Sequence, residues 1–252
     1  MEIKEALFHY ALRMGDNSLI LGHRLSEWCG HGPILEQDIA LINVALDLIG
    51  QSRSYLSYAG ELEGEGRSED DLAYLRRERE FRNVLLTELP NGDFGRTLVR
   101  QFLFDVFHYL QLERLTESSD EQLAAIATKS LKEVTYHLRY SSEWMIRLGD
   151  GTEESHRRVQ EPLNDLWAYT GEMFEMDDVD ETLVGVGIAP DLASLKPAWE
   201  NKVREILTEA TLDVPESGWM HSGGRKGVHS EHLGYLLSEL QYLQRSIPNA
   251  KW

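Results

Sequence analysis

Apolar residues recur three and four positions apart along most of this chain, a spacing that places them on one face of a helix. Alternating β-branched runs, the mark of strands, are absent. Residues 2–14 read as a helix, and Gly15-Asp16-Asn17-Ser18 as a break supplying N-caps. "LILGHRLSEWCG" reads as a second helix, ending near Gly30, and "HGP" as a turn. Residues 35–62 follow as a long helix. Within it "IALINVALDLIG" is apolar nearly all round, which predicts a central helix touched on most sides.

Ser68 and Asp71 stand three apart as a capping pair. Residues 70–87 read as a charged surface helix. Residues 94–117 form a strongly apolar helix, and 120–148 follow after Ser119 or Asp120 as N-cap. Beyond the "GDG" break, 154–175 and 192–210 read as helices, with 176–191 acidic and irregular between them. Residues 214–227 are a loop with four glycines, 230–245 the last helix, and "IPNAKW" a tail.

The expectation is an all-α fold. Helices near 16–29, 35–62, 94–117 and 120–148 would form an antiparallel four-helix bundle, with further helices flanking it. They fall into two helix pairs, the arrangement of ferritin-like bundles. One domain over 1–252 is expected, with its core at about 16–148 and flanking helices, Gly-rich loop and C-terminal helix in 149–252.

Composition narrows the function. A net charge of −18 over 252 residues excludes a general nucleic-acid binder and disfavours anionic membranes. Cys29 is the only cysteine, so an intrachain disulfide and Cys-based metal sites are excluded. Neither a signal peptide nor an apolar run long enough to span a membrane is read, and a cytoplasmic location is expected. Cys29, beside Trp28, reads as a packed core residue. "GDGTEE" lacks the ligand spacing of an EF-hand, and "SGGRKG" lacks that of a P-loop.

Candidate chemistry lies in polar residues set into the apolar helices. His23 and Glu27 share one helix face, and Asn43 and Asp47 another. Gln101, Asp105 and His108 lie on a third helix, and Lys129, Glu133, Tyr136, His137 and Tyr140 on a fourth. A carboxylate-bridged di-iron bundle needs a Glu from each of two helices and Glu-x-x-His from each of the other two. Among the core helices only Asp105–His108 has carboxylate-x-x-His spacing. Gly50 stands three after Asp47, and Tyr136 three after Glu133, with His137 one position too far. Glu153–His156 has the spacing but sits at the "GDG" break. Two readings stay open on spacing: a metal site, or a metal-free network of buried carboxylates matched by Lys, Arg, His, Tyr and Asn. Lys129 and Lys132 are candidates for a positive charge in place of metal.

"LGHRLSEWCGHGP", "DIALINVALDLIGQSRSYLSYAGEL", "KEVTYHLRYSSEWMIRLGDGT", "GGRKGVHSEHLGYLLSELQYLQRSIP" and the final Trp252 together resemble the PaaC subunits of phenylacetyl-CoA epoxidases, in order along essentially the whole chain. The resemblance implies a ferritin-like subunit related to PaaA, the catalytic di-iron subunit, but without a functional metal site. Such a subunit pairs with and stabilises PaaA in aerobic phenylacetate degradation. The other components would be a small subunit and a reductase carrying FAD and an iron–sulfur cluster; no cofactor is expected in this chain.

Glu27, Asp47, Asp105, His108, Glu133 and His137 would be the vestige of the metal site. Asp105 and His108 are expected to be buried and hydrogen-bonded to neighbouring core-helix side chains. Trp219, Arg225 and Lys226 are candidate exposed partner contacts. The rival expectations are a di-iron or di-manganese oxygenase in its own right and a stand-alone homodimeric binding module.

Overall fold

The computed structural model describes residues 1–216 and 218–248. It is all-α, with no strand among the described residues. Trp252 and the end of the tail lie outside them. The backbone groups into two compact units: residues 1–90 with the chain from Gly223 onward, and residues 91–222.

The first unit is built on a hairpin of two long helices, α1 (Ile3–Ser26) and α2 (Leu35–Glu63). Gly15 lies against Tyr55 and Leu56, and Gly22 against Ala45 and Leu48, so the helices run antiparallel. The break expected at 15–18 does not form: α1 is one helix, starting well before residue 16 and ending at Ser26. These four residues read as a helix stop because they usually seek non-helical backbone partners. Here each has a use inside the helix. Gly15 admits the Leu56 side chain. Asp16 is fully buried and binds the Arg76 guanidinium, with an Nη1–Oδ2 distance of 2.9 Å, and also accepts from the Arg82 amide at 2.8 Å. Asn17 accepts from the Val84 amide, and the Ser18 hydroxyl donates to the Met14 carbonyl.

Asp16 and Asn17 also explain why residues 70–87 are not one surface helix. The chain there is a short α3 (Glu69–Tyr74), a 3-10 turn at Glu78–Glu80 and a short α4 (Leu85–Glu88). Its amides at 82 and 84 are taken by α1 instead of by a helix of their own. Arg76 stacks on the Phe81 ring at 4.3 Å, and Ser68 and Asp71 form the expected capping box.

Residues 223–230 lie close on this segment. A Cβ on Gly224 would meet the Asn83 carbonyl, and one on Gly227, whose φ is +77°, the Arg79 carbonyl. The "SGGRKG" loop is therefore packed, not free, and Arg225 is buried, contrary to its expected role as an exposed contact. The helix that follows, α10 (Glu231–Ser246), packs Leu233, Leu236 and Leu237 into a core with Leu12, Ile20, Leu56 and Phe81.

Two further expectations fail in this unit. Cys29 lies beyond the end of α1 and is exposed. The helix α2 is not covered all round: Leu35, Ile39 and Leu46 are exposed, at 72%, 52% and 60%. At 100° per residue these three fall on one face.

The second unit pairs α5 (Phe94–Leu115) with α6 (Glu121–Gly149), whose N-cap is Asp120. It adds α7 (Glu153–Trp167), α8 (Asp178–Val184) and α9 (Leu192–Glu209). Helix α8 forms within the stretch expected to be irregular, because Asp177 caps it in a reciprocal pair with Asp180. A 3-10 turn at Gly171–Phe174 replaces the end expected of helix 154–175. It turns Phe174 edge-on to Phe107, at 5.6 Å, and to Trp199, at 5.4 Å. The buried Trp199 indole donates to the Leu103 carbonyl, the partner such a ring needs away from water.

Two glycines of α2 should respond in opposite directions. A Cβ at Gly60 would collide with the Arg67 carbonyl, whereas one at Gly50 would meet nothing within 4 Å. Gly60→Ala is expected to destabilise by about 1–3 kcal/mol through overpacking. Gly50→Ala is expected to stabilise by up to about 1 kcal/mol through helix propensity. Urea unfolding of both variants checks the pair of signs.

Candidate functional site

Helix α5 buries polar side chains as well as apolar ones. Thr97, Arg100, Gln101, Asp105, His108 and Gln111 are all buried, among Phe102, Leu103, Phe104 and Phe107. Gln101, Asp105 and His108 are spaced four and three apart, so they form one seam. The antiparallel α6 brings His137 and Ser141 to the same seam, also four apart.

Asp105 is its centre. Gln101 Nε2 donates to Oδ1 at 2.7 Å, and Ser141 Oγ donates to Oδ2 at 2.8 Å. Each carboxylate oxygen thus holds a neutral donor. Burial pushes the Asp105 carboxyl up to about 6; the charge of His137 and the two hydrogen bonds pull the other way but do not prevail. His137 is fully buried as well.

His108 lies beside the Phe104 ring, 5.2 Å between centroids. Burial, with a smaller contribution from His137, pulls its imidazole down to about 3, so the ring is neutral at ordinary pH. Its buried Nδ1 has no hydrogen-bond partner. That corrects the expectation that Asp105 and His108 are both satisfied by neighbours: Asp105 is, and His108 at Nδ1 is not.

The remaining candidates are placed as follows. Glu133 is half-buried on α6, one turn before His137, and Tyr136 is exposed at the position a ligating histidine would take. Lys129 and Lys132 are exposed, off the face that buries Ser130, Val134, His137 and Ser141. They do not supply the positive charge expected of them, and it is His137 that faces Asp105. Glu153 is exposed, and His156 Nδ1 lies 2.8 Å from the Gly149 carbonyl, closing the end of α6.

In the first unit, Glu27 is the C-cap residue of α1. Its side chain is 41% exposed and pairs with Arg24 at 2.8 Å. Asp47 is half-buried on α2, and His23 is pulled down to about 4 by burial. Among the described residues no three His, Cys, Asp or Glu side chains gather into a metal-ligating group. Sequence reasoning missed Ser141, although its place one turn beyond His137 is the signal that puts it in the seam.

The all-helical fold is of the ferritin-like class, whose metal-binding members project Glu and Glu-x-x-His ligands inward from their helices. The chain belongs to the Phenylacetic acid catabolic protein family, whose pattern matches residues 1–252. It is 52% identical over 243 residues to the C subunit of the 1,2-phenylacetyl-CoA epoxidase of Escherichia coli (strain K12), covering 96% of this chain and 98% of that relative.

Two stability predictions follow from the seam. The unfolded Asp105 carboxyl loses its proton near 3.8, while the folded one keeps it to about 6. Over that window the folded state binds more protons, so this group makes stability fall as pH rises, by about 3 kcal/mol in all. Asp105→Asn should remove that fall, read from urea unfolding at a series of pH values. His108 works with the opposite sign. Its folded value of about 3 lies below the ordinary histidine value of 6.5, so stability is lost as pH falls through that range. His108→Leu should remove the acid loss. At neutral pH it should raise stability by about 1 kcal/mol, because a buried unsatisfied nitrogen is gone.

Proposed function

We propose that this chain is a non-catalytic structural subunit of a multicomponent phenylacetyl-CoA epoxidase. It pairs with and stabilises a PaaA-type catalytic subunit that carries the di-iron centre. Its place would be in aerobic phenylacetate degradation, alongside a small subunit and a flavin and iron–sulfur reductase. The similarity to a component of the Escherichia coli epoxidase supports the assignment to such an enzyme.

The observation that carries the non-catalytic reading is the state of Asp105. Both of its oxygens are engaged by protein donors, Gln101 at 2.7 Å and Ser141 at 2.8 Å. A bridging ligand has to offer its oxygens to a metal, and these are held by neighbouring side chains. Gly50 and Tyr136, at the positions where ligands would be needed, support the same reading.

The partner of a paralogous helical subunit needs an apolar helix face. The exposed row Leu35, Ile39 and Leu46 on α2 is our candidate for it, with Ile34 beside it. Trp219, 75% exposed and set edge-on to His221 at 4.4 Å, and the exposed Lys226 are further candidates. Arg225, being buried, is withdrawn from that set.

The second reading, an oxygenase with its own metal, draws on the unpartnered His108 Nδ1 and the retained Asp105–His108 spacing. Metal analysis separates the two. The purified chain is expected to hold substoichiometric iron, and a co-expressed family member with two Glu-x-x-His helices is expected to co-purify and carry the iron. Stoichiometric iron that disappears in an Asp105→Ala/His108→Ala double variant would overturn the structural-subunit reading. In the same assay an Ile39→Asp/Leu46→Asp variant should weaken the pairing by at least about tenfold, as loss of central interface anchors does.

A further inference from the structure

Glu88 and His229 form a buried pair that plays no part in the proposed function. Both side chains have no exposure to water. Glu88 sits at the end of α4, and His229 just before α10. His229 Nδ1 lies 2.8 Å from Glu88 Oε2, and Nε2 lies 3.0 Å from the Phe81 carbonyl. Both ring nitrogens therefore face acceptors. A neutral imidazole has a single N–H and can serve one of them; only the imidazolium donates to both.

The carboxylate is a hub for the start of α10. It also accepts from the Ser230 amide at 2.6 Å and from Asn83 Nδ2 at 2.9 Å. The Glu88 carbonyl accepts from Arg24 Nε and Nη2, and Arg24 Nη2 reaches on to the His232 carbonyl at 3.2 Å. The other charged groups around the pair are Asp16 on α1, which favours the imidazolium, Arg76, whose guanidinium is bound to Asp16, and Arg82, whose guanidinium Nη1 donates to the Arg79 and Phe81 carbonyls. Gly224 and Gly227 bring the loop backbone against Asn83 and Arg79, where a Cβ would collide with a carbonyl oxygen.

We propose that His229 is a proton-dependent pin. As an imidazolium it clamps residues 223–230 and the start of α10 onto the segment 81–88, and loss of its proton frees that loop. Two groups already disfavour the uncharged ring: Glu88, which would be left as a buried carboxylate without its cation, and the Phe81 carbonyl, which would keep Arg82 Nη1 at 2.8 Å but, when the remaining ring proton serves Glu88, would face a bare ring nitrogen. Burial alone would lower the His229 pKa, yet Glu88, Phe81 and Asp16 together raise it above the usual histidine value. A raised value means that the clamp is complete at low pH and is lost as pH rises through the folded-state titration. The loop leads directly into α10, whose outer face presents Tyr235 and Tyr242 to solvent, at 71% and 69% exposure. Release of the pin would therefore loosen the anchor of an exposed tyrosine row.

The full chain labelled with 15N-histidine tests this by NMR, with His229→Gln used to assign the signals. At about pH 6.5 the His229 ring is expected to show two N–H signals, collapsing to one as pH rises. Hydrogen exchange of the 223–232 amides, corrected for intrinsic rate, should lose at least about tenfold protection across the same midpoint, the equivalent of one lost charge-assisted hydrogen bond. Glu88→Gln should shift the midpoint down. If that variant does not fold, the wild-type titration decides alone. A ring with a single proton at about pH 6, or loop protection that stays unchanged across the titration, overturns the proposal.

Discussion

Asp16 and Arg76 face each other with almost no access to water, and the first unit is organised around that pair. A buried carboxylate in the middle of a helix is tolerable only when matched by a cation and further donors. Arg76 and the Arg82 amide supply them, which fixes residues 76–82 against α1. From this follow the broken backbone of 70–87, the stacking of Arg76 on Phe81 and the bed on which residues 223–230 lie. The same demand shapes the second unit, where Asp105 on α5 takes its donors from Gln101 and Ser141.

The two carboxylates differ in what matches them. Asp16 has a guanidinium in contact, so its charge is compensated where it stands. Asp105 has an amide and a hydroxyl in contact and a histidine charge nearby, and burial prevails to raise its pKa. Through the Ser141 hydroxyl it ties α5 to α6. His108, neutral and unsatisfied at Nδ1, completes a seam that keeps the residue types of a metal site while its hydrogen bonds serve the fold. The apolar row Leu35, Ile39 and Leu46 on α2, by contrast, is left exposed.

Much of this was legible in advance. The helical period announced an all-α chain, and α5, α6, α9 and α10 fall within a residue or two of where it placed them. The spacing also singled out Asp105 and His137, which the fold buries one against the other. Two of the misread elements share a cause. At 15–18 and 70–87, residues that favour turns or solvent when judged locally found distant partners: Val84 for Asn17 and Arg76 for Asp16. At 176–191 the missed signal was local, the reciprocal cap of Asp177 and Asp180 that starts α8.

By itself the sequence determined the helix content, the family and the candidate ligand set with its gaps at Gly50 and Tyr136, because periodicity and spacing are local properties of the chain. Only the tertiary structure decided which polar residues are satisfied, that Arg225 is buried and Lys129 exposed, and that α2 keeps an uncovered apolar face. Burial and hydrogen bonding are set by residues tens of positions away, and a window of local pattern carries no record of them.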